Sequence, residues 1–340
     1  MARALASKPF KPHPLLVSGH AQTLGGFIWP RRFRFRALQA DEKRFFEIEP
    51  EVRLLAHCRW QTERREHPTL LVVHGLEGSS ESVYMLGTAA KAFDAGFNVV
   101  RLNQRNCGGT EHLTPTLYHS GMVDDLRAVL RELIERDNLP RLFLAGFSMA
   151  GNMALKLAGE DAGRTPAELS AVCAVSPSVD LRATADAIEL RQNRLYLKSF
   201  IKHLRRRVQT KQKLYPELYD ITDLNTVRTI RDFDERFTAV HGGYANADDY
   251  YNRSSSVPFL KDISLPTLII HAQDDPFIPF APLSDPSVKG NPNILLLAPA
   301  HGGHVGFIAA DTRETKDEDR FWAENRVVEF CKLVDSRASL

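Results

Sequence analysis

The chain has 340 residues, and its 44 Lys and Arg nearly balance 42 Asp and Glu, for a formal net charge of +2. That balance excludes a global electrostatic case for nucleic acid as a partner, and the length suffices for one large α/β domain with a sizeable core. The four cysteines, Cys58, Cys107, Cys173 and Cys331, form no CxxC pair, which argues against a disulfide scaffold or a zinc site and suits a reducing, cytoplasmic setting.

Read in chain order, the N-terminal residues lack the apolar stretch of a signal peptide. No later segment approaches the roughly 20 apolar residues of a membrane span. Residues 45–48 and 52–60 read as an opening antiparallel pair. Residues 69–74 (Thr-Leu-Leu-Val-Val-His) form a buried strand, with a helix over about 81–95 and a strand over 98–102. Val123, Leu126, Val129, Leu130, Leu133 and Ile134 recur at helical spacing within 121–136. Further strands are expected at 142–145, 170–176, 266–271 and 293–297, and a closing helix at about 321–334.

Short apolar strands alternating with amphipathic helices predict a mostly parallel central sheet covered on both faces. Ligands of such sheets bind beyond the carboxyl ends of the strands. The stretch between residues 176 and 266 is too long for one crossover. It predicts a mainly helical cap inserted over about 180–262, including one ordinary sheet-packing helix, within a single domain spanning 1–340. The basic run from His203 to Arg207 belongs to it. It reads as a solvated helix face, with contact to an anionic head group, phosphate or coenzyme A as the sharper alternative.

Gly146-Phe147-Ser148-Met149-Ala150 lies between an apolar strand and a helix. That is the setting of a nucleophile elbow, where a sharp turn lifts the serine out of the sheet above a helix N-terminus. The last position is Ala150 instead of glycine, and a methyl is the smallest departure. A serine hydroxyl needs a base and a group that orients the base. Both follow in the order expected of α/β-hydrolases. Asp275 fits an Asp-x-x-Ile-Pro loop with Ile278 and Pro279, leaving Asp274 as a turn residue that bonds nearby backbone. His304 follows Gly302-Gly303, and His301 precedes them; as a metal pair, His301 and His304 lack further ligand spacing. The backbone N–H groups of Met149 and Leu76 are the candidate oxyanion donors. His74, beside Leu76, reads as structural.

These residues resemble the YheT-like esterases of the α/β-hydrolase superfamily, relatives of the eukaryotic ABHD lipid hydrolases. The likeness covers nearly the whole chain. It runs through Gly19-His20-Ala21-Gln22-Thr23, His74 to Ser79, Asn103 to Thr110, Tyr118 to Gly121, and Asp234 through Asp249-Tyr250-Tyr251 to Asp274-Asp275. Asn106 departs from the family, where glycine is common. The resemblance implies an α/β-hydrolase fold and a triad of Ser148, Asp275 and His304 acting on carboxylic esters without cofactor or metal. Asn103 to Thr110 reads as a structural loop, and His20 and Gln22 as ties between the N-terminal arm and the body. The expected substrate is a short- to medium-chain acyl ester, with peripheral lipid contact, no membrane span and no nucleic acid. An acyltransferase to an alcohol, and a non-catalytic lipid- or partner-binding protein, are the alternatives.

Overall fold

Eight strands form one sheet: β1 (Glu42–Glu49), β2 (Val52–Arg59), β3 (Thr69–Val73), β4 (Asn98–Leu102), β5 (Leu142–Phe147), β6 (Leu169–Val175), β7 (Thr267–Ile270) and β8 (Ile294–Leu297). The computed structural model describes residues 2–31, 41–313 and 315–338. Strand order is β1-β2-β4-β3-β5-β6-β7-β8. The β1–β2 and β2–β4 pairs are antiparallel, and β3 to β8 run parallel.

Strands β3, β4, β5 and β7 are buried at every position and mostly apolar, because both faces of the sheet are covered. Successive side chains still alternate. Leu71, Val73, Leu142 and Leu144 join one core cluster, whereas Leu70, Val72, Phe143 and Phe147 join the other. The helices Val123–Glu135 and Met149–Glu160 close the first face, and Val83–Asp94 and Trp322–Ala338 the second. Each fully buried Leu, Val or Phe stabilises this arrangement by about 1.5–3 kcal/mol.

Between β6 and β7 lie the helices Leu181–Ile188, Arg194–Leu214 and Ala247–Ser254. A helical stretch from Ile230 to Gly242 also lies here and widens into a π-turn over Asp234–Thr238. They share an apolar cluster of their own, which takes in Leu117, Phe277 and Ile278 from the body. The expected sheet-packing helix is reduced to a 3-10 segment, Val257–Asp262. With Pro258 in its first turn, it places Leu260 in the core beside the helix Met149–Glu160.

The basic run departs from a solvated face. Arg205 donates to the carbonyl oxygens of Val227 (3.1 Å) and Asn225 (3.0 Å). Arg207 is nearly buried against Glu77. Loop carbonyls and a buried carboxylate need donors, and these two arginines supply them; His203 and Arg206 remain exposed.

All four cysteines are free and buried. Burial pushes the Cys58 and Cys107 thiols up to about 12, which removes thiolate reactivity. Among the described residues no helix is long and apolar enough to cross a membrane.

Candidate active site

β5 ends at Phe147 and the next helix starts at Met149, so Ser148 alone makes the turn, at φ 54° and ψ −117°. Such a backbone conformation costs about 1–3 kcal/mol in a non-glycine residue. Surrounding bonds hold it. Ser148 N–H donates to Val175 O (2.8 Å), and Asn152 N–H donates to Ser148 O (3.2 Å). A Cβ on Gly146 would lie 2.2 Å from the carbonyl oxygen of Ala150, so strand and helix approach too closely for any side chain there. Ala150 itself buries its methyl in the core, so this last elbow position requires no glycine.

His304 stands between the serine and Asp275. Its Nε2 lies 3.0 Å from Ser148 Oγ, and its Nδ1 lies 2.8 Å from Asp275 Oδ2. With Nδ1 protonated, the imidazole donates to the carboxylate and accepts from the serine hydroxyl. The Asp275 side chain is 0% exposed. Its Oδ1 accepts from the backbone N–H groups of Phe277 (2.9 Å) and Ile278 (3.1 Å). Burial opposes ionisation of Asp275. The field and hydrogen bond of His304, with these backbone donors, nevertheless hold its carboxyl below the ordinary value.

Asp274 points elsewhere. It accepts from Gly303 N–H (2.9 Å) and faces Nδ1 of the half-exposed His301 at 3.2 Å. Its partners therefore lie on the histidine loop, not on nearby backbone. The pair fastens the two catalytic-edge loops together. No cluster of three or more His, Cys, Asp or Glu that could hold a metal occurs among the described residues.

Thr23 and Ser176, for which the sequence indicated no role, and Gln22, expected as a tie of the N-terminal arm, hold the His304 loop in place. Thr23 Oγ1 accepts from His304 N–H (2.9 Å) and donates to Gly19 O (2.7 Å). Gln22 exchanges two hydrogen bonds with Ile308 and donates a third to Leu16 O. Ser176 Oγ accepts from Val305 N–H (3.1 Å). The helix carrying Gln22 and Thr23, Gly19–Ile28, thus buttresses the histidine loop as well as anchoring the N-terminal arm. Its signal was the Gly-His-Ala-Gln-Thr motif. Thr23→Val keeps the shape but leaves the His304 N–H unpaired, which costs about 1–3 kcal/mol. Urea denaturation should register that loss, together with a lower kcat and little change in KM.

The turn after β3 approaches Ser148 because Gly75 has no side chain; a Cβ there would sit 2.8 Å from Ser148 Cβ. The N–H groups of Leu76 and Met149 have no protein acceptor among the described residues. Met149 opens a helix, and first-turn donors are left unpaired. Glu77, at φ 56°, fastens the turn. Its N–H donates to Tyr118 Oη (2.7 Å), which donates back to its carboxylate. Arg207 grips that carboxylate with two bonds of 2.9 and 3.0 Å and also bonds Asn106 O. A helix between β6 and β7 therefore reaches the residue next to Leu76.

His74 is fully buried; burial chiefly lowers its pKa to about 4, so the ring is neutral. Its Nδ1 donates to Gly75 O (2.8 Å), and its Nε2 accepts from Gln104 N–H (3.1 Å). Asn103 bonds Ser80 and Leu55. Asn106 sits at φ 63° and ties Thr116 O; asparagine is among the few side chains suited to that region, which accounts for the missing glycine.

An apolar cavity with about 870 Å³ of empty space, partly open to solvent, adjoins Ser148 and His304. Leu117, Leu181, Ile188, Phe200, Phe233 and Phe277 line much of it.

The sheet, the elbow and the Ser148–His304–Asp275 geometry define a serine hydrolase of the α/β-hydrolase type. The alpha/beta hydrolase fold family matches residues 68–311, and the chain belongs to it. It is 31% identical to YheT of Escherichia coli (strain K12), over 96% of this chain and 93% of that protein. It is 32% identical to the phospholipase ABHD3 of Mus musculus over 71% of this chain, an alignment that takes in 58% of the mouse protein. The Pyrococcus furiosus esterase Pf2001 shares the fold, with a TM-score of 0.57 at 17% identity over 89% of this chain and 96% of that one.

Proposed function

We propose that the chain hydrolyses short- to medium-chain acyl esters through an acyl-enzyme on Ser148. The observation that carries this reading is the 3.0 Å approach of His304 Nε2 to Ser148 Oγ beside an apolar cavity. His304 takes the hydroxyl proton as Ser148 attacks the ester carbonyl. Asp275 keeps the imidazole in the required tautomer and stabilises its charged form. The N–H groups of Leu76 and Met149 receive the oxyanion, each contributing about 3 kcal/mol to the transition state. His304 then protonates the leaving alcohol. A water, deprotonated by the same ring, releases the acid. An alcohol can intercept the same acyl-enzyme, so product analysis with added ethanol measures the division between hydrolysis and transfer.

The helices of residues 180–262 act as a cap that reads the acyl chain. They supply Leu181, Ala185, Ile188, Phe200 and Phe233 to the cavity wall. Ala185→Leu should reduce kcat/KM for octanoate esters about tenfold more than for acetate esters, because the added methyl groups displace the longer chain. An acetate, butyrate, hexanoate and octanoate series tests both substrate class and cap. Equal losses across the series would assign these helices to fold support, and absence of turnover on every ester would overturn the substrate class.

A further inference from the structure

The helix Gly19–Ile28 is amphipathic in the inverted sense. Gly19, Gln22, Thr23 and Gly26, at i, i+3, i+4 and i+7, face the body. Leu24 (52% exposed), Phe27 (57%) and Ile28 (80%) face outward. Leu15 and Val17, just before the helix, are exposed as well. The inward polar face is explained by the histidine loop that it holds. Among the described residues the outward apolar face is left uncovered, and an exposed apolar patch of this kind marks an interaction site.

The neighbouring element is basic. His20 stacks on Tyr196 at 5.7 Å, and Tyr196 packs on Phe277, which in turn touches the His304 ring at 4.9 Å. The apolar helix therefore adjoins both the catalytic edge and the start of the helix Arg194–Leu214. That second helix has eight Lys and Arg residues and no acidic one in its 21 residues. Arg205, Arg207 and Lys211 are used inside the fold. Arg194, Lys198, Lys202 and Arg206 are exposed and have no carboxylate partner among the described residues. The last three, with Leu195, follow one stripe at spacings of three and four. A surface groove beside the stripe is lined by Arg194, Lys198, Lys202, Arg205 and Arg228 and by no acidic residue.

An apolar helix face beside a helix whose exposed cations have no carboxylate partner among the described residues complements a bilayer bearing negative headgroups. A soluble anion would engage the cations and leave the apolar face uncovered. We propose that the chain docks on anionic phospholipid bilayers, with Leu24, Phe27 and Ile28 entering the interface and the stripe Lys198-Lys202-Arg206 lying against the headgroups. Docking would bring the mouth of the site towards lipid. The inference deepens the esterase reading and rests on it for that consequence, whereas binding itself needs no turnover.

The test uses the full chain carrying Ser148→Ala, so that the lipid stays intact. It should sediment with vesicles of phosphatidylcholine containing about one quarter phosphatidylglycerol, more weakly with phosphatidylcholine alone, and less as salt rises above about 0.1 M. Leu24→Gln/Phe27→Gln/Ile28→Gln and Lys198→Glu/Lys202→Glu should each weaken binding about tenfold or more. The same exposed substitutions in the Ser148 chain should leave acetate-ester turnover within about twofold, since no catalytic contact is touched. Failure of the parent to sediment with anionic vesicles, or equal sedimentation of either variant, overturns the proposal. So does a dimer in sedimentation velocity that the triple substitution dissociates, which would assign the face to a second copy. Loss of all ester turnover in the Ser148 chain would overturn the esterase reading and leave the vesicle result standing.

Discussion

Ser148→Ala should abolish ester hydrolysis, with a fall of about 10⁶-fold in kcat, and should eliminate labelling by a fluorophosphonate probe. The magnitude follows from the position of the hydroxyl: its oxygen is 3.0 Å from His304 Nε2 at the start of a helix. Its removal deletes the bond-forming atom, while the two backbone donors and the cavity remain. The turn is built from backbone bonds to Val175 and Asn152, so the variant keeps its fold. Circular dichroism on the same preparation verifies this. A folded alanine variant with wild-type turnover would eliminate Ser148 as the nucleophile.

The second large effect separates two adjacent pairs. Asp275→Asn and His304→Ala should each lower kcat by about 10⁴-fold. Asp274→Asn and His301→Ala should cost no more than about tenfold, because exposed pairs contribute little. Chemically the pairs are alike, with an aspartate facing a histidine Nδ1 in both. They differ in place: the Asp275 carboxylate is fully buried beneath a ring that touches Ser148, whereas the His301 side chain is 49% exposed. In Asp275→Asn the amide oxygen is kept by the N–H groups of Phe277 and Ile278, so the amide NH2 faces His304 Nδ1 and donates to it, and the ring adopts the wrong tautomer. Steady-state kinetics on one soluble ester suffices for the comparison. If the larger losses fell on Asp274 or His301, the loop register proposed for the triad would be wrong.

The link between Arg207 and Glu77 ties the helices between β6 and β7 to the turn beside Ser148. Glu77 follows the candidate oxyanion donor Leu76, and its carboxylate is gripped from a helix between β6 and β7. Burial opposes the charge on Arg207, yet Tyr118, Cys107 and Glu77 around it raise its pKa, so the guanidinium remains charged. A displacement of that helix would loosen the turn that presents Leu76. The hydrogen bonds of an oxyanion hole act through preorganisation, so such loosening lowers kcat in preference to affinity.

The parts of this molecule that depend on near neighbours were legible from the residues alone. Continuous apolar runs located β3 to β8 to within a few residues, because strands buried on both faces tolerate little else. The elbow was legible because a strand, a strained serine and a helix start are consecutive. The Asp-x-x-Ile-Pro spacing picked out Asp275 because the backbone donors to its carboxylate lie two and three residues on. What holds His304 was not legible. Thr23 meets its loop across 281 residues, Arg207 meets Glu77 across 130, and neither separation leaves a periodicity. The basic run likewise disclosed its charge but not its direction: rotation of the helix sends Arg205 and Arg207 inward and leaves Arg206 outside. Local propensity and turn chemistry extend over a few residues. Long-range hydrogen bonds exist only after the crossovers of the sheet have brought distant loops to one edge, so the support of the site was decided by the tertiary fold.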